Sequence, residues 1–253
     1  MHTYDVIVIG AGHAGIEAAL AAARMGCATL MVNLDLDTIG YMSCNPAIGG
    51  VGKGQLVKEI DALGGEMAKA ADACGIQFRI LNASKGPAVQ SSRAQIDRQL
   101  YLEYMSRVVR GQQGLELEKA EVTGLLVDNG RVCGIRTHEH AEILGRTVVI
   151  CPGTFLKGLI HMGMKHFSGG RMGEPACAGL ADALGRLGFT LLSFKTGTCP
   201  RLDTATIDYS RLIVQDGDMP PRPFSFSTAK LVQRQVPCHI TYTNKQTHRI
   251  ILD

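Results

Sequence analysis

The chain has 253 residues, of which 45% are hydrophobic, so it can bury a core sufficient for one large domain or two small ones. Its 26 Lys and Arg residues exceed its 23 Asp and Glu residues by only 3, which excludes the bulk positive field of a general nucleic-acid binder. No apolar run reaches the roughly 20 residues of a membrane span, and Met1–Asp5 is too short and polar for the basic region of a signal peptide. We therefore expect a cytoplasmic protein without a membrane span.

The first predicted element is an apolar strand, Tyr4–Ile9, which leads through a glycine-rich turn directly into a helical pattern that ends at Gly26. The turn has the spacing Gly10-x-Gly12-x-x-Gly15. In this motif the first glycine permits the tight turn, the second lets the backbone approach a pyrophosphate, and the third lets helix and strand pack closely. The sequence therefore predicts a dinucleotide site formed by Gly10, Ala11, Gly12, His13, Ala14 and Gly15.

A second predicted strand, Cys27–Asn33, completes the beginning of a βαβ unit. Enzymes that bind NAD usually place an acidic residue about 20 positions after the glycines, where it bonds the ribose hydroxyls. This strand ends in Asn33, whose amide can still bond a hydroxyl, so the motif leaves open which dinucleotide binds. The alternative is a glycine-rich turn without a ligand.

Residues 38–87 have the composition of glycine-rich loops around one helix, which the spacing of apolar residues places at roughly Lys53–Ala71. A further helix is predicted at about Arg93–Arg110. Its apolar stripe consists of Ile96, Leu100, Tyr104 and Val108.

Three strands are predicted next, at Glu121–Val127, Arg131–Thr137 and Arg146–Cys151, with a hairpin turn at Asn129-Gly130 between the first two. The last strand is continuously apolar, as in a buried strand that rejoins a parallel sheet. A helix at about Pro175–Leu187 follows, with Leu180, Leu184 and Leu187 as its apolar face. This order resembles glutathione-reductase-like flavoproteins. It implies an α/β fold, a three-layer FAD/NAD(P)-binding Rossmann-like domain with a β-meander and an inserted smaller subdomain.

Residues 202–236 are polar and irregular, so we expect them to leave the main sheet. Strand-like Cys238–Thr243 follows, and no helix is predicted after it. We assign residues 1–201 to the first part of the FAD-binding domain and residues 202–253 to the beginning of the inserted subdomain, which is associated with NAD.

The loop Ser43–Gly54 contains four glycines, a proline, a lysine and a cysteine, a composition that suits close approach by a ligand. Cys44, near Lys53 and the N–H groups that begin a helix, is a candidate nucleophile. The alternative is a structural cysteine in a tight loop. The eight cysteines are scattered without Cys-x-x-Cys pairs or zinc-like His spacing, so we expect neither disulfides nor a metal site.

Further polar and basic residues lie in glycine-containing loops, where they can anchor phosphate or substrate or can form solvated turns. These candidates, with Lys53, are Arg79, Asn82, Lys85, Arg93, Arg171 and Lys195.

Read in order, these loops closely resemble the MnmG or GidA family of tRNA uridine 5-carboxymethylaminomethyl modification enzymes. The segments that carry the resemblance are Gly10–Gly15, Ser43–Gly50, Asp61–Gly65, Ile76–Val89, Arg93–Gln95, Gly153–Leu156, Ser168–Arg171 and Lys195–Thr198.

The resemblance implies an FAD enzyme that acts with a GTPase partner of the MnmE type on the wobble uridine of certain tRNAs. It adds a carboxymethylaminomethyl or aminomethyl group at C5, with NADH as reductant and a folate as one-carbon donor. The family's FAD contacts map onto Gly10–Gly15, Val122 and Cys177, where a serine is familiar, and its loop cysteine maps onto Cys44. The resemblance also implies a homodimer. Family members are considerably longer, so we expect this chain to be an N-terminal fragment.

Two alternatives remain open. One is a related flavoprotein, either the folate- and FAD-dependent tRNA uracil methyltransferase or another FAD oxidoreductase. The other is a nucleotide-binding module that does not turn over by itself.

Overall fold

A computed structural model describes residues 3–252 of the chain. Its strands are β1 (Thr3–Ile9), β2 (Thr29–Asn33), β3 (Ala47–Gly49), β4 (Gly75–Leu81), β5 (Ser91–Ile96), β6 (Leu115–Lys119), β7 (Val122–Asp128), β8 (Arg131–Thr137), β9 (Glu142–Ile150), β10 (Leu159–Met162), β11 (Lys165–Ser168), β12 (Ile213–Gln215) and β13 (Cys238–Ile240). Its α-helices are α1 (His13–Arg24), α2 (Lys53–Ala62), α3 (Met67–Cys74), α4 (Arg98–Gly111), α5 (Gly179–Arg186) and α6 (Lys245–Leu252).

The largest sheet has six strands in the order β6-β2-β1-β9-β8-β7. Strand β1 is parallel to both β2 and β9, and β2 is parallel to β6, which confirms the predicted βαβ start and return strand. Strands β7, β8 and β9 form an antiparallel meander whose first turn contains Asn129 and Gly130, both with positive φ. The return strand begins earlier than predicted, at Glu142, and is only partly buried.

Alternate residues of the central strands enter two different cores, one on each face of the sheet. Val8 and Met31 belong to a cluster that includes α1, α3 and α4. Ile7 and Leu30 belong to a second cluster, which Val122, Ile135 and Leu180 complete from the meander and α5. Because side chains alternate between the faces of a strand, both faces of β1 are covered and the predicted three layers are confirmed.

A second, three-stranded antiparallel sheet has the order β3-β5-β4 and lies where loops and helix were predicted. The single helix predicted at Lys53–Ala71 is wrong, because Gly64 has a φ of +91° and ends α2 before α3 begins. The helix predicted from Arg93 is also wrong at its start, since Arg93 pairs with Gly49 in a strand.

The faces of two helices differ from the predicted ones. In α4 the buried residues are Tyr101, Met105 and Val109, one position later than the predicted stripe. In α5 Leu180 is buried as predicted, but Leu187 lies just beyond the helix and is 43% exposed.

Residues 202–236 leave the six-stranded sheet, as predicted, and lie against the smaller one. The backbone N–H of Asp218 donates to the Phe78 carbonyl at 2.8 Å, and that of Val236 donates to the Ile76 carbonyl at 2.7 Å. The helix α6 after β13 was not predicted. Among the described residues, no helix is both long and apolar enough to span a membrane.

Candidate functional site

The glycine turn after β1 is held by close backbone packing. A Cβ on Gly10 would lie 2.2 Å from the Cys151 carbonyl oxygen, and one on Gly15 would lie 1.8 Å from the Gly10 carbonyl oxygen. Gly10 also has a φ of +102°, which disfavours any residue with a side chain. These two glycines are therefore required by the fold itself.

Gly12 differs from its two neighbours in the motif. Its φ is −79°, and a Cβ built on it would meet no atom within 4 Å. It precedes the first turn of α1, which has no side-chain cap. Neither the backbone nor the interior requires a glycine here, so the space in front of this helix end suits a group that approaches closely, and its N–H groups suit a phosphate.

A cleft lies beside this turn, at the carboxyl ends of the parallel strands, where open α/β sheets bind ligands. It holds about 500 Å³ of empty space, part of it open to solvent. Its lining comes from the ends of β1 and β2, the beginning of β7, and the segment between β9 and α5. The lining residues are Ile9, Gly10, Val32, Asn33, Leu34, Thr38, Ala120, Val122, Pro152, Phe155, Leu156, Arg171, Glu174, Cys177 and Leu180.

Asn33 lies in this cleft, but its side chain is already bonded to the protein. Its Oδ1 accepts from the Ala11 N–H at 3.2 Å, and its Nδ2 donates to the Asp35 carbonyl at 2.7 Å. The amide therefore ties the glycine turn to the segment after β2. Its oxygen keeps a second lone pair, with which it can accept from a ligand hydroxyl.

The two other predicted cofactor contacts line the opposite wall. Val122 is 4% exposed at the beginning of β7. The Cys177 N–H donates to the Phe155 carbonyl and its carbonyl accepts from Lys157, so both backbone groups are engaged. Burial raises the pKa of the Cys177 thiol.

Arg171 closes one side of the cleft. Its guanidinium pairs with Glu174 at 2.8 Å and lies over the rings of Tyr41 and Phe155, at 4.8 and 5.1 Å from their centroids. Arg98 lies over the same Tyr41 ring at 5.1 Å. The arginine is therefore ordered by stacking and charge before any ligand binds.

His13, the first residue of α1, faces α4 and α2 from within the glycine turn. Its Nδ1 lies 3.3 Å from the hydroxyl of the fully buried Tyr101. Burial, with a smaller effect from the charge of Lys53, lowers the pKa of His13 to about 4. The imidazole is therefore neutral at pH 7 and adds no positive charge to the turn.

The loop with Cys44 meets the same region. Lys53 is the first residue of α2, and its Nζ donates to the Ala47 carbonyl at 3.4 Å. Desolvation lowers the pKa of Lys53, while the charge of Cys44 acts in the opposite direction. The lysine and the half-buried thiol thus lie close enough to interact, as predicted from the sequence.

Other predicted anchoring residues lie outside the cleft. Arg79 donates to the Asp216 carbonyl at 3.5 Å and joins β4 to the 202–236 segment. The Asn82 amide closes its own loop by bonding the Val89 carbonyl at 3.0 Å. Arg93 lies within β5. Lys85 and Lys195 are exposed, the first in the loop after β4 and the second in an irregular segment.

Of the lining that follows β9, sequence analysis named Arg171 and Cys177 but did not assign Pro152, Phe155 or Glu174 to the site. The available signal was position, since this segment follows the strand that neighbours β1 and must emerge at the same edge of the sheet. The residues described here contain no group of three or more His, Cys, Asp and Glu side chains that could hold a metal ion.

Curated relatives match almost the whole chain. The "tRNA uridine 5-carboxymethylaminomethyl modification enzyme MnmG" of Geotalea uraniireducens is 59% identical over 249 residues, 98% of this chain and 40% of the relative. The enzyme of the same name from Aquifex aeolicus is 54% identical over 255 residues, 98% of this chain and 41% of the relative. The chain thus spans about 40% of the length of the curated relatives it matches.

Solved structures are also similar over most of the chain. A crystal structure of Aquifex aeolicus GidA superposes with a TM-score of 0.94 at 54% identity, over 99% of this chain and 43% of that one. The GidA-related protein from Thermus thermophilus, at 24% identity and a TM-score of 0.56 over 76% of this chain and 71% of that one, shares the fold. The family model described as "Glucose inhibited division protein A" matches residues 5–253. The chain therefore belongs to the GidA family.

Proposed function

We propose that this chain forms the FAD-binding part of an enzyme that modifies C5 of the wobble uridine in tRNA. Membership of the GidA family and the name shared by its curated relatives support this function. The whole enzyme uses NADH and a folate one-carbon unit, acts with a GTPase partner of the MnmE type, and works as a homodimer in the cytoplasm.

The observation that carries the proposal is the open space at Gly12, in front of an uncapped helix end and beside the cleft. In the proposed complex the N–H groups of Gly10–Gly15 would hold the pyrophosphate of FAD, and Asn33 would accept from a ribose hydroxyl. Val122 and Cys177, which also line the cleft, would contact the cofactor. FAD, when bound, supplies the transfer of a hydride from NADH to the one-carbon unit.

Cys44 is the proposed nucleophile toward the uridine ring. Its sulfur adds to C6, so that the electron pair of the C5–C6 bond moves toward C5, which then attacks the one-carbon unit. Loss of the C5 proton and departure of the sulfur restore the double bond. Lys53 provides positive charge near the sulfur that adds to and later leaves the ring.

Substrate contacts are proposed at the remaining candidates, in two groups. Arg171 lines the cleft and Lys53 adjoins Cys44, so both lie near the proposed chemistry. Arg79, Asn82, Lys85, Arg93 and Lys195 do not line the cleft, and they would contact other parts of the RNA. We further propose that residues 1–201 belong to the FAD domain and that residues 202–253 begin an NAD-associated subdomain.

The first experiment is the visible absorption spectrum of the purified chain after incubation with FAD and removal of free cofactor. We expect a bound flavin spectrum for the wild type and weaker retention for Gly12→Ala, because the new methyl group occupies the open space. Gly111→Ala is the matched control, since a Cβ there also meets no atom within 4 Å but lies at the end of α4.

Circular dichroism of all three proteins separates folding from binding. Equal flavin retention by wild type and Gly12→Ala would contradict the proposed position of the pyrophosphate. A well-folded wild-type chain that retains no flavin would show that these residues do not bind FAD on their own.

Turnover is tested separately, by wobble-uridine modification with the chain, its GTPase partner, NADH and a folate donor. Loss of conversion in the Cys44→Ser variant, with normal flavin content, would support Cys44 as the nucleophile. Binding of flavin and tRNA without conversion would instead identify the chain as a nucleotide-binding module.

A further inference from the structure

A second cysteine lies against the loop that carries Cys44, although the two are far apart in sequence. The Cys199 thiol donates to Oδ1 of Asn45, the residue after Cys44, at 2.9 Å. The Arg201 guanidinium donates through Nη1 to the Cys199 sulfur at 3.2 Å and through Nη2 to the Cys44 carbonyl. One guanidinium group therefore bridges the two cysteine residues.

The segment that carries Cys199 has no regular secondary structure. Residues 189–203 form no helix or strand, so no ladder of backbone hydrogen bonds fixes their position. A disulfide requires Cα atoms about 4.4–6.8 Å apart. Arg201 bonds both cysteine residues, and Cys44 also lies outside any helix or strand, so the adjustment that joins the two sulfurs falls in these two irregular segments.

Both sulfurs have a cation beside them. Arg201 contacts the Cys199 sulfur, and Lys53 interacts with Cys44. Neither cation takes part in an ion pair with a carboxylate within residues 3–252. Exposure of a thiol admits an oxidant, which is one property of redox-active cysteines. Cys199 is exposed and Cys44 is half-buried, so an oxidant in solvent reaches Cys199 first.

We propose that Cys199 and Cys44 form a redox-sensitive thiol pair, in which hydrogen peroxide oxidises Cys199 and Cys44 then closes a disulfide. In the first step the Cys199 sulfur attacks one peroxide oxygen, the O–O bond breaks, and the departing oxygen takes the thiol proton and leaves as water. In the second step the Cys44 sulfur attacks the sulfenic sulfur of Cys199, the S–O bond breaks, and a second water leaves with the Cys44 proton. Two thiols are oxidised by two electrons in total, and one peroxide is reduced to two waters.

The disulfide would remove the nucleophile of the proposed reaction. This consequence rests on the role proposed for Cys44, whereas disulfide formation does not. A thiol reductant reverses the bond, so the pair would act as a reversible switch of the kind that intracellular disulfides usually serve.

The test treats the purified, reduced chain with hydrogen peroxide, blocks remaining thiols with iodoacetamide and identifies linked peptides by mass spectrometry. We expect one predominant link, between the peptides that contain Cys44 and Cys199, with a mass lower by two hydrogen atoms and full reversal by dithiothreitol. Cys199→Ser should abolish the link and leave Cys44 open to alkylation. Cys238→Ser is the matched control, because the Cys238 thiol is bonded to Gln77, and it should keep the link.

Arg201→Met tests the bridge itself and should slow formation of the link several-fold without preventing it, because the segment is then no longer held beside Cys44. Peroxide treatment that leaves both thiols open to alkylation, or that links Cys44 mainly to another cysteine, would overturn the proposal. Neither readout needs FAD or tRNA, so a failure here is distinguishable from a failure of the proposed enzyme function.

Discussion

His13 makes the stability of the chain depend on pH in a way that can be measured. Burial lowers its pKa from 6.5 to about 4 in the folded chain, so the folded state binds this proton less readily than the unfolded state. A base with a lowered folded-state pKa contributes stability that is present above pH 6.5 and is lost as the pH falls toward 4. Between pH 7 and pH 5 most unfolded chains take up the proton and most folded chains do not. The free energy of unfolding therefore falls by about 2 kcal/mol from this group alone.

The matched variant is His13→Gln, whose amide can still bond the Tyr101 hydroxyl but does not titrate. We expect urea unfolding at pH 7 and pH 5 to show a decrease in unfolding free energy about 2 kcal/mol larger for the wild type than for the variant. Titration of the imidazole by NMR should give a midpoint near 4. Parallel stability losses in the two proteins, with a midpoint near 6.5, would refute the buried, neutral state of His13.

Three further substitutions test the glycine turn and two buried carboxylates by urea unfolding. Gly15→Ala should destabilise the chain by about 3 kcal/mol or more, because its Cβ would overlap the Gly10 carbonyl oxygen and backbone cannot move aside as a side chain can. Asp72→Ala should cost about 3 kcal/mol, since this carboxylate is 3% exposed and accepts two buried backbone N–H groups that would lose their partner. Glu66→Ala should cost about 2 kcal/mol, because its side chain is 6% exposed and holds both an arginine and a tyrosine hydroxyl. Glu142→Ala, which breaks an exposed ion pair, should change stability by less than about 1 kcal/mol and serves as the control.

The parts of the fold that were predicted correctly are those that short stretches of sequence determine. The turn at Asn129-Gly130 requires two positive φ angles, which these residues tolerate, and it fixes the hairpin of β7 and β8. The turn from Gly10 to Gly15 likewise determines its own strand-helix geometry. In both cases the constraint lies within a few residues, so the sequence alone is sufficient.

The second sheet was missed because its strands depend on contacts distant in sequence. Residues 91–96 show no strong apolar alternation, and they form β5 because β3 and β4 supply hydrogen bonds on both sides. The buried face of α4 was misplaced by one residue for a related reason. Asp97 caps the helix, and packing against α3 then selects Tyr101, Met105 and Val109. Sequence periodicity gives a helix but does not set its rotation when apolar residues flank the stripe on both sides.

At the candidate site, too, features set by local sequence were predicted and features set by distant contacts were not. The glycine turn and the Cys44 loop were each identified from local composition. The contacts of Arg201 with Cys44 and of Cys199 with Asn45, in contrast, are set by tertiary structure. Lys195 was recognised as part of a glycine-containing loop, yet nothing in the composition of that loop indicates which surface it meets.

The two helix ends at this site are linked through His13. It is the first residue of α1, and its charge state is coupled to Lys53, the first residue of α2, so the amino ends of both helices face one region. Two helix amino ends and a lysine concentrate positive potential, which favours an anionic group such as a phosphate. A protonated His13 imidazole would lie buried beside this positive charge. Burial first, and the charge of Lys53 second, lower the pKa of His13 to about 4, so the histidine is neutral at pH 7 and adds no charge inside the glycine turn.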